Sequence, residues 1–506
     1  MERGHIMGTD LLKLQNGSDV RGVALEGIEG EIVNLDEETA GKIGGAFVYW
    51  LTQKVSRNPT MINIAVGHDS RLSADTLKAG LMKGITMFGG TPYDAGLAST
   101  PAMFMSMSTV MPYFEFDGAV MITASHLPWN RNGFKFFTAE GGLNREDVVE
   151  ILRLAERYNF IGEYYEEKPV NVMQMYAAHL RQMISMGLKD VPGGLNGLHV
   201  VVDAGNGAGG FFATDVLAPL GADITGSQFL DPDGHFPNHQ PNPENKAAME
   251  ALSAAVLENK ADLGLIFDTD VDRAAAAGPD GKPIARNNII ALAAAIGADD
   301  YPGGTVVTDS VTSNELHEFL EGKLGLKHLR YKRGYRNVIN KAQALNADGE
   351  QAFLAIETSG HAAYSDNYFL DDGAFLAVQI VINAAKLKAE GKDITALLEG
   401  LEDPAESIET RFVLTSEDTT AAAGRILEDM EKWVRETAGL EIEVPNYEGV
   451  RVNYDLDGAR GWFLLRKSLH DDVMPLNIES DTDGGSDKVL ALVSDFLSRY
   501  DEIKAL

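Results

Sequence analysis

The sequence predicts an α/β protein: three related α/β units followed by a smaller C-terminal α+β domain. Three observations carry that expectation. Short β-branched runs recur at three places, each passing into a polar or glycine-rich loop and then into a segment with helical apolar spacing. The 506 residues are enough for about three or four domains at roughly 150 residues each. After Ser407 the pattern changes to one long helical stretch followed by closely spaced strands.

In chain order, Met61 to Val66 forms the first such run and opens into Gly67-His68-Asp69-Ser70-Arg71, with helical spacing from Leu72 to Met87. A second apolar run, Gly118 to Ile122, breaks into TASHLPWNRNGFKFF, Thr123 to Phe137, which presents a serine hydroxyl at a sheet edge. Leu198 to Val202 leads into Asp203-Ala204-Gly205-Asn206-Gly207, and Gly304 to Val307 into Thr308-Asp309-Ser310, with helical spacing from Leu316 to Leu324. Polar or proline-bearing joints near Glu166 to Val170, Gly281 to Pro283 and Leu401 to Ala405 set the expected domains at 1–167, 168–283, 284–402 and 403–506. In the last of these a helix is expected from Thr419 to Glu436, then strands around Val450 to Tyr454 and Gly461 to Leu465.

Composition excludes several classes. A formal net charge of −32 repels polyanions, so no nucleic acid and no anionic membrane is expected as a partner. A small phosphorylated substrate remains compatible, because salt screens distant charges and local cation clusters exist at Lys332-Arg333-Arg336 and Arg466-Lys467. With no cysteine there is no disulfide and no thiolate chemistry; with no apolar run of spanning length and no signal-like start, a cytoplasmic location is expected.

Three segments carry chemistry. In Asp268-Thr269-Asp270-Val271-Asp272-Arg273 carboxylates alternate after the run Leu263 to Phe267; if the segment is extended, all three face one side and repel unless a cation joins them, a solvated acidic turn or an N-cap being the alternative. An all-oxygen set suits Mg²⁺, and the glycine and glutamate spacing of a calcium loop is missing. Gly205-Asn206-Gly207-Ala208-Gly209-Gly210 satisfies the dinucleotide fingerprint, but its acidic partner Asp231 lies in the turn Leu230-Asp231-Pro232-Asp233-Gly234, so glycine packing is the preferred reading over a nicotinamide enzyme. Glu357-Thr358-Ser359-Gly360-His361 offers the mixture of donors and acceptors that sugar hydroxyls need, although a capping turn explains it nearly as well.

Taken in order, Ser18-Asp19-Val20-Arg21-Gly22, TASHLPWNRNGFK, Asp233-Gly234 with Phe236-Pro237, Pro241-Asn242-Pro243, DTDVDR and ETSGH closely resemble the α-D-phosphohexomutase family, and within it the phosphomannomutase/phosphoglucomutase group. The resemblance covers nearly the whole chain. It implies three topologically similar α/β domains plus a smaller C-terminal α+β domain around a central cleft, acting as a monomer or homodimer. It further implies a phosphohexomutase, working on mannose or glucose phosphates through a phosphoserine enzyme and a hexose 1,6-bisphosphate. Phosphoglucosamine mutases share an E-x-S-G-H loop and form the alternative; a serine-dependent phosphohydrolase and an inactive phosphosugar-binding protein are the rivals of another class.

By the same resemblance Ser125 carries the phosphoryl group, and Mg²⁺ is held by Ser125, Asp268, Asp270 and Asp272. Lys135 handles the proton of the attacking hydroxyl, and Arg273, Arg21 and His126 steady the phosphoryl group. Glu357, Ser359 and His361 bind the sugar, while Lys332, Arg333, Arg466, Ser468 and His470 bind phosphate. The chain departs from the family pattern at Leu127, where an asparagine is usual, and at Tyr335, where relatives have histidine. It departs again at Arg466-Lys467-Ser468-Leu469-His470-Asp471-Asp472, in place of the usual phosphate loop.

Overall fold

The computed structural model describes residues 10–108, 115–157, 162–468 and 471–505. The chain divides into two compact units. The first comprises Met1–Ala285, Ser359–Ala362 and Leu370–Ala396, the second Arg286–Thr358, Ala363–Phe369 and Leu397–Leu506.

The first unit holds two sheets. In the seven-stranded mixed sheet the order is Gln15–Asn16, Asp19–Val23, Arg131–Thr138, Gly118–Ile122, Asn63–His68 and Thr91–Leu97, with Gly141–Gly142 beside Arg131–Thr138. The strand Gly118–Ile122 is buried throughout, as its uninterrupted apolar sequence requires, and runs parallel to Asn63–His68. Phe134 and Phe136 of the neighbouring strand pack against Phe47 of the helix Glu37–Val55 and its surroundings. Each fully buried aromatic of this kind stabilises the unit by about 2–3 kcal/mol. The helix starts where Asp36 accepts a hydrogen bond from the Thr39 amide, and acidic Glu37 and Glu38 fill its first turn.

The second sheet has the order Pro283–Ile284, Ala274–Ala277, Leu263–Phe267 and Val200–Asp203; the last two are parallel and the others antiparallel. Its glycine-rich loop follows Val200–Asp203 and enters a π-helical segment, Phe212–Leu217. The glycines serve close approach: a Cβ on Gly207 would stand 2.7 Å from the Thr269 backbone, and Ala208 N donates to Thr269 O at 2.8 Å. The fingerprint thus braces the acidic loop. This agrees with glycine packing as its purpose.

The second unit also holds two sheets. One has the order Lys327–Arg330, Thr305–Thr308, Ala352–Ile356 and Ala362–Tyr364, with its first three strands parallel. The other is six-stranded and antiparallel, in the order Leu440–Ile442, Val450–Leu456, Ala459–Leu465, Val473–Ser480, Glu406–Leu414 and Ile503–Ala505. They meet at Arg451, whose guanidinium lies 3.7 Å from the centroid of the Trp462 ring and donates to Ser310 O and Thr312 O at 3.0 Å. The helix Thr419–Glu436 forms over the span its periodicity predicts. The pattern from Leu316 to Leu324 does not give one regular helix: a short helix, Asn314–Glu318, widens into a π-helical turn, Phe319–Lys323, which keeps Leu316, Phe319 and Leu320 buried. Among the described residues no helix is long and apolar enough to cross a membrane.

Candidate active site

The serine loop leaves the strand Gly118–Ile122 with Ser125 in a left-handed backbone conformation, φ 49°. Two contacts hold that turn from within, Ser125 N donating to Thr123 Oγ1 at 2.9 Å and Thr123 N to Gly133 O at 3.0 Å. A third comes from far away in sequence. Arg71, 2% exposed, donates from Nη2 to Ser125 O and to Leu127 O (2.7 Å), and from Nη1 to Pro128 O (2.8 Å) and Arg131 O (3.0 Å). Its Nε faces Asp69 Oδ2 at 3.4 Å. One planar cation therefore gathers four carbonyls of the loop, a task for which the guanidinium fork is suited.

This architecture delivers Ser125 Oγ to the acidic loop, where it donates to Asp268 Oδ2 at 2.8 Å. The loop is not extended as expected. It is a tight turn between Leu263–Phe267 and Ala274–Ala277, closed by Val271 N donating to Asp268 O (3.3 Å), with Val271 at φ 68°. The turn still brings one oxygen each of Asp268, Asp270 and Asp272 within 4.8 Å of one another, all three side chains fully buried. Thr100 Oγ1 donates to Asp270 Oδ2 at 2.5 Å. Lys135 Nζ lies 3.2 Å from the same oxygen and pairs also with Asp272 Oδ2.

Burial, then repulsion from Asp272 and Asp270, pushes the Asp268 carboxyl well above the usual range. Burial works the same way on Asp272, but Lys135, His361 and Arg273 outweigh it and hold that carboxyl low. Asp270 Oδ1 and Asp272 Oδ1 are buried without a hydrogen-bond partner. A crowded set of carboxylate oxygens with unused lone pairs fits a hard divalent cation such as Mg²⁺.

Cations flank the triad. Arg273 N donates to Asp268 Oδ1 at 3.2 Å, and its Nε donates to His361 Nε2 at 2.9 Å. Arg21 donates to Thr123 O and to Asp19 Oδ2, the latter at 2.7 Å. His126 Nδ1 is 3.3 Å from Ser125 Oγ. The charge of Arg273, then burial, then Arg21 pull its pKa down to about 2, so the ring is neutral here and not a fixed cation. Ser359 Oγ is buried without a hydrogen-bond partner.

The other expected site residues belong to the second unit. Glu357, 4% exposed, accepts from Gly334 N at 2.6 Å. Lys332 is exposed. Arg333 Nε stands 3.8 Å from Asp309 Oδ2, and its amide donates to Glu448 Oε2 at 3.1 Å. Arg466 is 6% exposed, with Nε unpaired and Nη1 4.0 Å from Glu448 Oε1. Ser468 N donates to Val473 O at 2.9 Å. His470 lies outside the described residues. Of the two acidic residues beyond it, Asp472 is occupied by Thr419 Oγ1 at 2.6 Å. Reading the sequence missed Thr100, Asp371 and Glu448, and placed Arg71 in a loop without giving it a task.

The chain matches the phosphoglucomutase/phosphomannomutase family in its alpha/beta/alpha domain I over residues 13–161, domain II over 174–281 and domain III over 285–404. It is 31% identical over 469 residues to the phosphoglucomutase/phosphomannomutase of Thermococcus kodakarensis, covering 90% of this chain and 92% of that one. It is 29% identical over 472 residues to the phosphomannomutase/phosphoglucomutase of Pseudomonas syringae pv. tomato, covering 93% and 92%. A crystal structure of a family protein from Burkholderia thailandensis superimposes with a TM-score of 0.77 at 24% identity, covering 96% and 97%. With three consecutive domains matched and relatives aligned nearly end to end, the chain belongs to the phosphoglucomutase/phosphomannomutase family, the α-D-phosphohexomutases.

Proposed function

We infer that the protein is a phosphohexomutase, an isomerase interconverting the 1- and 6-phosphates of mannose or glucose through phosphoserine at position 125 and a hexose 1,6-bisphosphate. One observation carries the reading: a buried, left-handed serine whose Oγ lies 2.8 Å from a triad of carboxylates flanked by Lys135 and Arg273. A hydroxyl is a weak nucleophile, and a site with cations on each side suits a phosphoryl group already in place. In transfer, the P–O bond to Ser125 breaks, a P–O bond to a sugar hydroxyl forms, and that hydroxyl loses its proton. In the second half the other phosphate of the bisphosphate returns a phosphoryl group to Ser125. Asp268, Asp270, Asp272 and Ser125 would hold Mg²⁺, which supplies neutralisation of the charge growing on the serine oxygen.

Lys135 is assigned to the proton of the attacking hydroxyl, which Nζ accepts only as the neutral amine, and its pairing with Asp270 and Asp272 fixes where Nζ stands. Arg273 and Arg21 offer charge to the moving phosphoryl group; His126, being neutral, offers only a hydrogen bond. Glu357, Ser359 and His361 are assigned to the sugar. Arg466, Ser468, Lys332 and Arg333 are assigned to the phosphate that is not reacting. Incubation with glucose 1-phosphate, Mg²⁺ and a trace of glucose 1,6-bisphosphate is expected to yield glucose 6-phosphate without inorganic phosphate. EDTA should abolish turnover and added Mg²⁺ restore it. Release of phosphate, or no turnover of glucose, mannose or glucosamine 1-phosphate, would overturn the reading, and a strong preference for glucosamine would overturn the hexose assignment.

Arg466→Ala tests the clamp. An arginine buried with its Nε unpaired lacks the partner that a phosphate dianion would supply. Its loss is expected to raise KM about tenfold or more, equivalent to roughly 1.5–3 kcal/mol, with a smaller change in kcat. An unchanged KM would remove Arg466 from the clamp.

A further inference from the structure

We propose that Gln240 is a positioning residue that holds the serine loop from the side of the second sheet, and that a buried ion pair of His239 with Asp203 fixes the turn it acts from; the proposal deepens the mutase reading and rests on it. Arg71 collects the carbonyls of Ser125, Leu127, Pro128 and Arg131. The carbonyl between the first two, that of His126, is taken by Gln240 Nε2, which donates to it at 2.7 Å. Gln240 lies just before the helix Lys246–Asn259, whose Met249, Leu252 and Val256 pack with Val201 and Ile266 of the second sheet. Asp268, the partner of Ser125 Oγ, follows a strand of that same sheet. The tether therefore ties the loop to the side on which its hydroxyl has to work.

The orientation of the Gln240 amide follows from its neighbours. Asn245 caps the helix, its Oδ1 accepting from Ala248 N at 3.1 Å, which leaves Nδ2 to donate to Gln240 Oε1 at 3.3 Å. The nitrogen of Gln240 is left for His126 O. Because the Gln240 side chain is exposed, water competes for this bond, and its occupancy depends on how firmly the backbone beneath it is held in place beforehand. His239 supplies that hold. Its Nδ1 lies 3.0 Å from Gln240 O, and its Nε2 lies 3.1 and 3.0 Å from the two oxygens of Asp203. A carbonyl can only accept, so Nδ1 carries a proton. Asp203 Oδ1 also accepts from Gly205 N at 2.8 Å and Oδ2 from Gln228 Nε2 at 2.7 Å, the arrangement of an ionised carboxylate, so Nε2 carries a proton too. The ring is an imidazolium.

The surroundings favour that charge. The His239 side chain is 2% exposed and that of Asp203 is fully buried. Asp203 is the titratable group facing the ring, and the Phe229 ring meets it edge-on with 5.3 Å between centroids. Burial by itself lowers the pKa of the imidazole, but the hydrogen bond to Asp203, then its charge, then the Gln240 carbonyl outweigh it and raise the value above the ordinary one. The charged ring and its grip on Gln240 O persist through neutral pH and are lost as pH rises through the raised value.

The test uses the full-length enzyme and its Gln240→Ala, His239→Gln and doubly substituted forms. Long-range proton–nitrogen correlation spectra of ¹⁵N-histidine-labelled wild type, assigned by the signal that His239→Gln removes, are expected to show both ring nitrogens of His239 protonated above the ordinary imidazole pKa of about 6.5. Gln240→Ala, at an exposed side chain, should keep the fold and lower kcat about three- to tenfold with KM changed by less than about twofold. His239→Gln removes the ring that donates to both acceptors and should slow turnover by a similar factor, adding less than about a twofold further loss in the Gln240→Ala background, because His239 acts through Gln240. Amide hydrogen exchange of the serine loop, which needs no substrate, should quicken in each single variant and no further in the double one. If His239→Gln does not fold, Gln240→Ala decides by its kinetics and its exchange. A wild-type His239 with one unprotonated ring nitrogen, additive losses in the double variant, or loop exchange unchanged by Gln240→Ala would overturn the proposal. A wild-type protein that turns over no hexose phosphate would overturn the mutase reading, while the spectra and the exchange would still decide whether the charged ring and Gln240 hold the loop.

Discussion

Ser125→Ala is expected to lower turnover of glucose 1-phosphate by at least about a thousandfold, on the order of 4 kcal/mol of transition-state stabilisation. The variant should keep its fold, since the hydroxyl it removes makes one hydrogen bond, to Asp268, plus a longer contact to His126. The loop's shape is carried by the Ser125 carbonyl and amide, which alanine retains. Intact-mass measurement gives a second, independent reading. Wild type incubated with glucose 1,6-bisphosphate should gain about 80 Da as phosphoserine, and the variant should gain nothing. A variant with most of its activity would sink the mechanism. A variant that is inactive but still gains the mass would place the phosphoryl group on another residue.

Arg71→Met is expected to have the largest effect on stability. Methionine fills much of the space but leaves the carbonyls of Ser125, Leu127, Pro128 and Arg131 without their shared donor and Asp69 without its cation. Breaking a buried ion pair by removing one partner costs about 3–5 kcal/mol. That is a large share of the roughly 5–15 kcal/mol that holds an ordinary domain together. The thermal transition of the first unit should fall by about 6–20 °C, and phosphorylation of Ser125 should become slow even below that temperature. Arg71→Lys should recover little, because an ammonium offers three donors on a flexible stem and no planar fork. A Met variant that melts and turns over like wild type would show that the guanidinium is not what holds the loop.

The parts of the site that could be read in the sequence are those contained in one short stretch. Ser125 and Lys135 share a loop and the strand after it, a stretch whose family resemblance implied their roles, and three aspartates share five residues, so their spacing alone pointed to a cation. Even there the geometry was misread. Alternation suggested an extended segment, whereas a tight turn with Val271 left-handed gathers the same carboxylates. The residues that went unread act across the chain: Arg71 reaches Ser125 over 54 positions, and Thr100 reaches Asp270 over 170. No periodicity encodes such a meeting. It depends on which strands become neighbours. The fold was more legible than its supports, because a buried strand such as Gly118–Ile122 and an amphipathic helix such as Thr419–Glu436 are decided by their own residues. The widening of Asn314–Glu318 into a π-helical turn was hidden, since it is packing that decides which of two helical windings buries Phe319 and Leu320.

The left-handed backbone at Ser125 also limits how this site could be inherited. Threonine carries the same hydroxyl and is a single nucleotide change from many serine codons, so on chemical grounds lineages could drift freely between the two. At φ 49° a second substituent on Cβ crowds the backbone, a strain on the order of 1–3 kcal/mol that a β-branched residue bears only when its surroundings compel it, as Val271 does. The residue proposed to carry the phosphoryl group is thus held to serine by the shape of the turn rather than by reactivity, and exchange for threonine would require the loop around it to change at the same time.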